Sequence, residues 1–224
     1  MDSDLLKPYH LLKKSDLKKA ADVFAGAFLD DPLYQCIQAD RSKRAACMKY
    51  FFRYYLRLMY QSSYILTDSS DMKMLAVVWD PSHSEHHPVY LAKVVWSFLR
   101  GLRVIPTIGL SGYVRAVSIL TRMTSAWTDQ YLSRPFLHLD MFAVQKQFRG
   151  QNLGGNFLRA FTGYCKERGL LCTLETQQES NIGLYHHFGF CVTEKMIDTR
   201  TRLTEYCMVC EPDSNKIQSL EKQV

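Results

Sequence analysis

The segment "QFRGQNLGG", Gln147 to Gly155, is a glycine-rich turn between an apolar stretch and a helix-like one. The backbone N–H groups that begin a helix lack intrahelical acceptors, and the helix dipole favours negative charge there, so such a turn can hold phosphate. Gly150, Gly154 and Gly155 allow positive φ and close approach to the backbone. Asn152 stands where another glycine would complete the pattern. The segment is therefore either a phosphate cradle or a strand-to-helix turn that needs glycine for its geometry.

The residues on both sides of this turn alternate between strand-like and helix-like patterns. Residues 136–144, "FLHLDMFAV", predict a strand, and residues 154–169 predict a helix with one apolar face. Residues 170–176 predict the next strand, and residues 181–189 predict a short helix. The stretches "FCVTEKMID" and "RLTEYCMVCEP" predict two closing antiparallel strands. This order indicates a central mixed sheet with helices on its faces.

The N-terminal third of the chain predicts helices and a pair of strands. Apolar residues recur at helical spacing in two stretches, and shorter β-branched runs are bounded by turn residues. The predicted elements are a short strand at 9–14, helices at 17–28 and 41–61, and strands at 64–68 and 73–81.

Residues 86–134 form a basic, apolar segment between the predicted strands. It contains three helix-like pieces separated by Gly and Pro, and between Glu85 and Asp129 it has five Lys or Arg residues and no acid. Three interpretations stay open, namely a substrate lid, a membrane-touching patch, or helices packed over the sheet with a solvated basic edge. The pattern favours the packed helices.

The composition is ordinary for a soluble protein, with 47% hydrophobic and 22% charged residues among 224. We predict a single domain over residues 1–212, followed by a polar tail at 213–224. The net charge of +6 is compatible with an anionic ligand but is too small to predict nucleic-acid binding. The N-terminus has no signal-like apolar core, and we find no uncharged run long enough to span a bilayer. We therefore expect a cytoplasmic protein without a membrane span.

The seven cysteines are an odd, scattered set, which favours buried and reduced thiols over a disulfide framework. The stretch "CMVC" at 207–210 has the spacing of a metal or redox motif, but no second pair accompanies it. In a strand, Cys207 and Cys210 point to opposite faces of the sheet. We therefore expect no bound metal.

The turn and its neighbours resemble the GNAT superfamily of acyl-CoA-dependent N-acetyltransferases. The family's Q/R-x-x-G-x-G/A signature is matched by Arg149, Leu153 and Gly154, and Gly150 matches its common R-G-x-G-[IL]-G version. The motifs "FAV" before the turn, "LET" in the next strand and "FGF" after the short helix occur in the family's order over residues 135–198. The set is most similar to the puromycin N-acetyltransferase-like branch.

The resemblance implies an α/β fold. This is a GNAT-like mixed, mostly antiparallel twisted sheet with helices on both faces and a helical insertion, 86–134, before the fourth strand. In this family the fourth strand parts from the fifth, and acetyl-CoA lies between them as cosubstrate. Asn181 would hydrogen-bond the pantetheine arm, and Tyr185 would protonate the departing CoA thiolate. The pantetheine arm would pair with the backbone of Phe142, Ala143 and Val144, and the pyrophosphate would lie on the amides of Arg149, Gly150, Gln151, Asn152, Leu153, Gly154 and Gly155.

The acceptor amine must lose a proton before it attacks the thioester, and three residues are candidate bases. Glu175 ranks first because it is the glutamate of "LET", as in the puromycin-like branch. His138 ranks second and Asp140 third, since both lie on the fourth strand, predicted on one face with Phe142. A water relay, or an amine that is already neutral, would make a single base unnecessary.

The predicted function is transfer of acetyl from acetyl-CoA to a primary amine of a small molecule, by direct attack in a ternary complex. Two alternatives stay open, namely acetylation of a protein or peptide and a non-catalytic acyl-CoA sensor. We expect a small-molecule amine as the partner and either a monomer or a homodimer.

Overall fold

The structure, a computed structural model, describes residues 7–83, 92, 95–96, 99–131 and 133–212. These residues contain a seven-stranded sheet with helices on both faces. The strands are β1 (His10–Leu11), β2 (Ser63–Thr67), β3 (Met74–Trp79), β4 (Phe136–Val144), β5 (Leu171–Thr176), β6 (Cys191–Ile197) and β7 (Thr204–Cys210). The helices are α1 (Leu17–Ala27), α2 (Pro32–Ile37), α3 (Arg41–Met59), α4 (Ile105–Leu120), α5 (Leu153–Glu167) and α6 (Ile182–His187).

The sheet has the strand order β1-β2-β3-β4-β5-β7-β6. The β4–β5 pair is parallel, whereas the other five pairs are antiparallel. The parallel pair needs a crossover, and α5 provides it. The predicted mixed, mostly antiparallel sheet is therefore confirmed.

The two faces of the sheet are covered by different helices. On one side, which we call the α5 face, Phe157 and Phe161 of α5 pack against Ala76 of β3. On the opposite side, the α3 face, Phe24 of α1 and Phe52 of α3 stack with their ring centroids 5.5 Å apart. Phe24, Phe52, Phe157 and Phe161 are fully buried, and replacing one with alanine costs about 3–5 kcal/mol.

A β-bulge in β4 changes which side chains share a face. Val77 pairs with Met141 and Val78 pairs with Leu139, so Asp140 is an extra residue without a partner on β3. Beyond the bulge, Phe142 packs on the α5 face, where its ring stacks on Phe157 at 5.1 Å. The prediction that Phe142 shares a face with His138 and Asp140 is therefore wrong, because the period-2 alternation breaks at the bulge.

The chain from Leu29 to Gln38, between the first two predicted helices, contains a helix that was not predicted. It forms the short helix α2, which has Pro32 in its first turn and Asp31 as its N-cap. The Asp31 carboxylate accepts a hydrogen bond from the Leu33 N–H at 3.0 Å, and a proline at this point lacks an N–H that would otherwise go unpaired. The sequence signal for a helix start was present, but the helix is too short to show periodicity.

The helical insertion lies between β3 and β4, as predicted. Within it are α4 and a short 3-10 helix at Ser125–Tyr131. Most of the first predicted piece, 88–100, lies outside the described residues, and so does the predicted tail at 213–224.

One described stretch, Leu99–Tyr131, is long and apolar enough to cross a membrane by length and composition alone. Gly109 breaks its helix with φ 74° and ψ 165°. A single crossing here would also separate β3 from β4, which pair with each other along their lengths. Both features disfavour a span by this stretch.

Candidate active site

Strands β4 and β5 part at their carboxyl ends and leave a gap between them. Their pairing runs from Phe136–Leu171 to Leu139–Leu174. Beyond it, β4 continues beside β3, and Glu175 of β5 pairs with Cys207 of β7. The β4 backbone from Phe142 to Val144 therefore has hydrogen-bonding groups turned to the gap, where an extended ligand can add itself as a strand.

The glycine-rich loop closes the end of this gap. Gly150 has φ 82°, and Asn152 has φ 57° and ψ 18° at the N-cap of α5. Asn152 therefore adopts the left-handed conformation that asparagine tolerates better than most residues. Arg149 folds back over the loop, where its Nε donates to the Val144 carbonyl at 3.3 Å. The first N–H groups of α5 lack intrahelical acceptors at this turn, as a phosphate site requires.

The side chain of Asn152 occupies space that Gly155 leaves open. A Cβ on Gly155 would lie 2.3 Å from Oδ1 of Asn152. Asn152 Nδ2 also donates to Oδ1 of Asn156 at 3.2 Å. A Cβ on Gly154 would meet the Phe142 ring at an ordinary 3.5 Å. Of these two glycines, Gly155 is thus the one that the asparagine requires.

Tyr185 and Asn181 lie on the segment that follows β5. Tyr185 is 8% exposed on the α5 face, with its ring centroid 6.0 Å from that of Phe190. Burial, with a contribution from Asp31, raises the pKa of Tyr185 to about 12, so its hydroxyl is a neutral donor at physiological pH. Asn181 is half-buried, and its Nδ2 donates to Thr176 Oγ1 at 3.4 Å.

A second group of polar side chains lies on the α3 face beside the gap. Ser125 Oγ donates to Glu175 Oε1 at 2.5 Å, and it lies 3.1 Å from His138 Nε2. Because the serine proton is used by Glu175, His138 Nε2 is the donor to Ser125. The same nitrogen lies 3.2 Å from Glu175 Oε2, which also accepts from Trp127 Nε1 at 3.2 Å. Thr173 Oγ1 is 2.9 Å from His138 Nδ1.

These contacts set the charge of the pair. Burial alone would lower the pKa of His138, but the nearby Glu175 carboxylate raises it above its usual value. Burial opposes ionisation of Glu175 too, yet His138, Ser125 and Trp127 together keep the pKa of Glu175 below its usual value. Glu175 is therefore ionised at neutral pH, and the raised pKa of His138 favours its imidazolium form more than in a free imidazole. The side chain of His138 is 1% exposed and that of Glu175 is 12% exposed.

Two further carboxyl groups belong to this cluster. Asp140 accepts a short hydrogen bond from the Tyr55 hydroxyl, and burial raises the pKa of Asp140 despite His138. Glu205 of β7 is 1% exposed, and Gln177 Nε2 donates to its Oε1 at 2.7 Å. Burial, then the charge of Glu175, raises the pKa of Glu205 to about 8, so it is mostly neutral at pH 7.

Several members of the cluster were not predicted from the sequence. Glu205 left a signal, because it shares the inward face of β7 with Cys207 and Val209, where a carboxyl is unusual. The other three come from elements distant in the chain and left no local signal. They are Tyr55, Ser125 and Trp127.

His138, Asp140 and Glu175 have ligand atoms within 4.8 Å of one another, a spacing that can hold a metal ion. Each of these side chains is already engaged by a neighbouring hydroxyl or ring N–H group. The arrangement suits proton movement between the groups. As predicted, Cys207 and Cys210 pack on opposite faces of the sheet.

The sheet, its parting strands and its insertion define an α/β protein with the GNAT fold. Residues 104–190 match the Acetyltransferase (GNAT) family. The family match and the fold together support this family for the chain. They do not select the puromycin N-acetyltransferase-like branch.

Several solved structures share the fold. A structure described as histone acetyltransferase HPA2 and related acetyltransferase, from Corynebacterium glutamicum, is 17% identical with a TM-score of 0.60, and 92% of this chain and 96% of that chain are covered. Arylalkylamine N-acetyltransferase 2 from Aedes aegypti is 11% identical with a TM-score of 0.54, covering 92% and 98%. Drosophila melanogaster polyamine N-acetyltransferase, which forms N-acetylagmatine, is 13% identical with a TM-score of 0.51, covering 91% and 98%. At these identities the likeness shows the fold alone.

One curated protein is similar in sequence, a probable serine/threonine-protein kinase of Dictyostelium discoideum. It is 22% identical over 213 residues, which are 88% of this chain. The chain spans only 22% of the length of that protein.

Proposed function

We propose that the protein transfers acetyl from acetyl-CoA to a primary amine of a small molecule. The observation that carries this proposal is the gap between β4 and β5, which opens toward two different sets of groups. The loop and Tyr185 lie toward the α5 face, and Glu175 and His138 lie on the α3 face. A cosubstrate bound from one side and an amine from the other would meet at the gap, so transfer is direct within a ternary complex.

The cosubstrate would bind through backbone groups. The pantetheine arm extends the sheet along Phe142 to Val144, and the pyrophosphate lies on the amides from Arg149 to Gly155. Asn181 is free to hydrogen-bond the arm through its amide oxygen, because its Nδ2 contacts Thr176. Strand N–H groups beside the thioester stabilise the tetrahedral oxyanion.

The amine would lose its proton to the α3-face cluster. Glu175 is ionised and partly exposed, so it attracts the ammonium form and accepts its proton. His138 is too buried to contact the amine; its Nε2–H group, which faces Ser125 and Glu175, orients and stabilises the Glu175 carboxylate. This assignment keeps Glu175 as the first base and makes His138 its partner. Asp140, with its raised pKa, is the next candidate to accept a proton.

Tyr185 would donate its proton to the departing CoA thiolate, since its hydroxyl is neutral up to about pH 12. We expect Tyr185→Phe to lower kcat about 10²-fold with CoA affinity unchanged, because a proton donor is lost and no binding contact. Tyr164→Phe is the matched control, since Tyr164 has the same 8% exposure in the same core. Equal turnover in both variants would remove Tyr185 from the mechanism.

The decisive experiment is a CoA-release assay with a panel of amines. The panel contains arylalkylamines, polyamines, puromycin and acidic peptides, so that it also covers the branch that the sequence resembles and the peptide alternative. Turnover of one small amine with a thermal shift by acetyl-CoA supports the proposal. A thermal shift without turnover on any amine supports an acyl-CoA sensor, and the absence of both contradicts the proposal.

All seven cysteines are free, which agrees with our proposal of a reducing, cytoplasmic location.

A further inference from the structure

The exposed apolar side chains of the described residues are concentrated in one part of the insertion. Ten large hydrophobic side chains are well exposed, and six of them lie between residues 95 and 114. We call these six the insertion patch: Val95, Trp96, Leu99, Leu102, Leu110 and Val114, each 45–64% exposed. An apolar concentration of this kind marks a surface that binds something.

The spacing of the patch residues puts them on the outer side of the insertion. Leu110 and Val114 are four residues apart on α4 and therefore lie on one side of that helix. Trp96 and Leu99 are three residues apart, and each is in a helical conformation. Ile119 of α4 is 1% exposed and packs into the core on the α3 face. Helix α4 thus has two apolar stripes. One is buried in the protein and the other is exposed.

The insertion patch is set among positive charges. No acid occurs between Glu85 and Asp129. Arg100 lies over the Trp96 ring at 5.2 Å from its centroid, and Arg103 reaches the Tyr54 hydroxyl at 3.4 Å. Neither arginine, in the part of the chain that the structure describes, pairs with a carboxylate. The surface is therefore both apolar and positively charged. It is complementary to a partner surface that has negative charges beside an apolar region.

These charges disfavour a second copy of the chain as the occupant. In a two-fold contact each patch would face its own equivalent, so Arg100 and Arg103 of both copies would come together without acids to neutralise them. A membrane span by this stretch is disfavoured by the break at Gly109 and by the pairing of β3 with β4.

We propose that the insertion patch binds the surface of an anionic lipid bilayer, with the insertion lying in the interfacial plane. Trp96, Leu99, Leu110 and Val114 enter the boundary between headgroups and acyl chains, where tryptophan is favoured. Arg100 and Arg103 contact the lipid phosphates and gain from the negative surface potential. This proposal is independent of the acceptor amine and of the catalytic cluster.

The test is co-sedimentation of the full chain with lipid vesicles. We expect binding to phosphatidylcholine vesicles that contain about 30% phosphatidylserine, weaker binding to pure phosphatidylcholine, and a loss of binding at about 0.5 M salt. The double variant Trp96→Ser, Leu99→Ser lowers the partition coefficient at least about tenfold, because two apolar anchors are lost. Arg100→Gln and Arg103→Gln each lower it about fivefold.

Matched controls come from the edge strand β6. Ile197→Ser and Lys195→Gln remove an apolar side chain that is 58% exposed and an exposed cation, and they should leave partitioning unchanged. Every variant should keep the wild-type thermal midpoint and soluble acetylation rate. Binding that is equal on neutral vesicles, absent on anionic ones, or equally reduced by the β6 controls overturns the proposal. A wild-type dimer in light scattering that the Trp96 variant converts to a monomer also overturns it, in favour of a self-interface.

Discussion

The loop and the acid–base cluster flank the same gap but are built in opposite ways. The loop from Gln145 to Gly155 is one continuous segment whose shape depends on local φ values. The cluster joins Ser125, His138 and Glu175, and the first and last of these are 50 residues apart in the chain. Binding of the cosubstrate thus rests on backbone geometry, whereas proton transfer rests on buried side chains that satisfy one another.

Glu175→Gln tests this division between loop and cluster most directly, and we expect its effect to be the largest. The variant keeps the shape of the side chain but removes the proton acceptor, so kcat should fall about 10²- to 10³-fold. The affinity for CoA, measured by calorimetry, should be unchanged because the loop is intact. The control is Glu194→Gln, which removes an exposed carboxylate on β6. If Glu175→Gln instead weakens CoA binding at unchanged kcat, cosubstrate binding and proton transfer are not separated between the loop and the cluster.

The loop could be predicted from the sequence much better than the cluster. The loop, its positive-φ asparagine and the strand–helix–strand order were predictable, because glycine content and hydrophobic periodicity act over a few residues. The position of Phe142 was not, because one extra residue at Asp140 reverses the alternation and a bulge leaves no simple pattern. Trp127 was not, because its contact with Glu175 exists only after the insertion packs against β5.

The variant Glu205→Gln tests whether burial sets the protonation state of a carboxyl group in the cluster. Its effect should be the next largest. Its pKa is about 8 when folded and about 4.5 in the unfolded chain. The folded state therefore holds the proton more tightly, and stability is lost as pH rises from about 4.5 to about 8, by up to about 1.4 kcal/mol per pH unit. Glu205→Gln should remove that loss and raise the free energy of unfolding at pH 8 by about 1–3 kcal/mol.

Urea unfolding at pH 6 and pH 8 measures this effect, with the exposed Glu194→Gln variant as the control. The stability gain of Glu205→Gln over the wild type should be larger at pH 8 than at pH 6. A stability difference between Glu205→Gln and the wild type that is the same at both pH values would show that Glu205 is ionised in the folded protein.

The smallest expected effect concerns the loop and its asparagine. Gly155→Ala places a Cβ 2.3 Å from Oδ1 of Asn152, so the turn must shift, and CoA affinity should fall about tenfold. Gly163→Ala on the same helix is the matched control, because a Cβ there meets nothing within 4 Å. That control should leave CoA affinity unchanged and stabilise α5 by up to about 1 kcal/mol.

Asn152→Gly distinguishes a spatial conflict from a direct ligand role of the asparagine. Alone, this change should leave CoA affinity within about twofold of the wild type, since glycine accepts the same positive φ. Combined with Gly155→Ala, it removes the atom that the new Cβ meets, so the double variant should recover most of the lost affinity, a non-additive result. If Asn152→Gly alone abolishes CoA binding, the side chain itself is a ligand, and the loop depends on side-chain chemistry in the way that the cluster does.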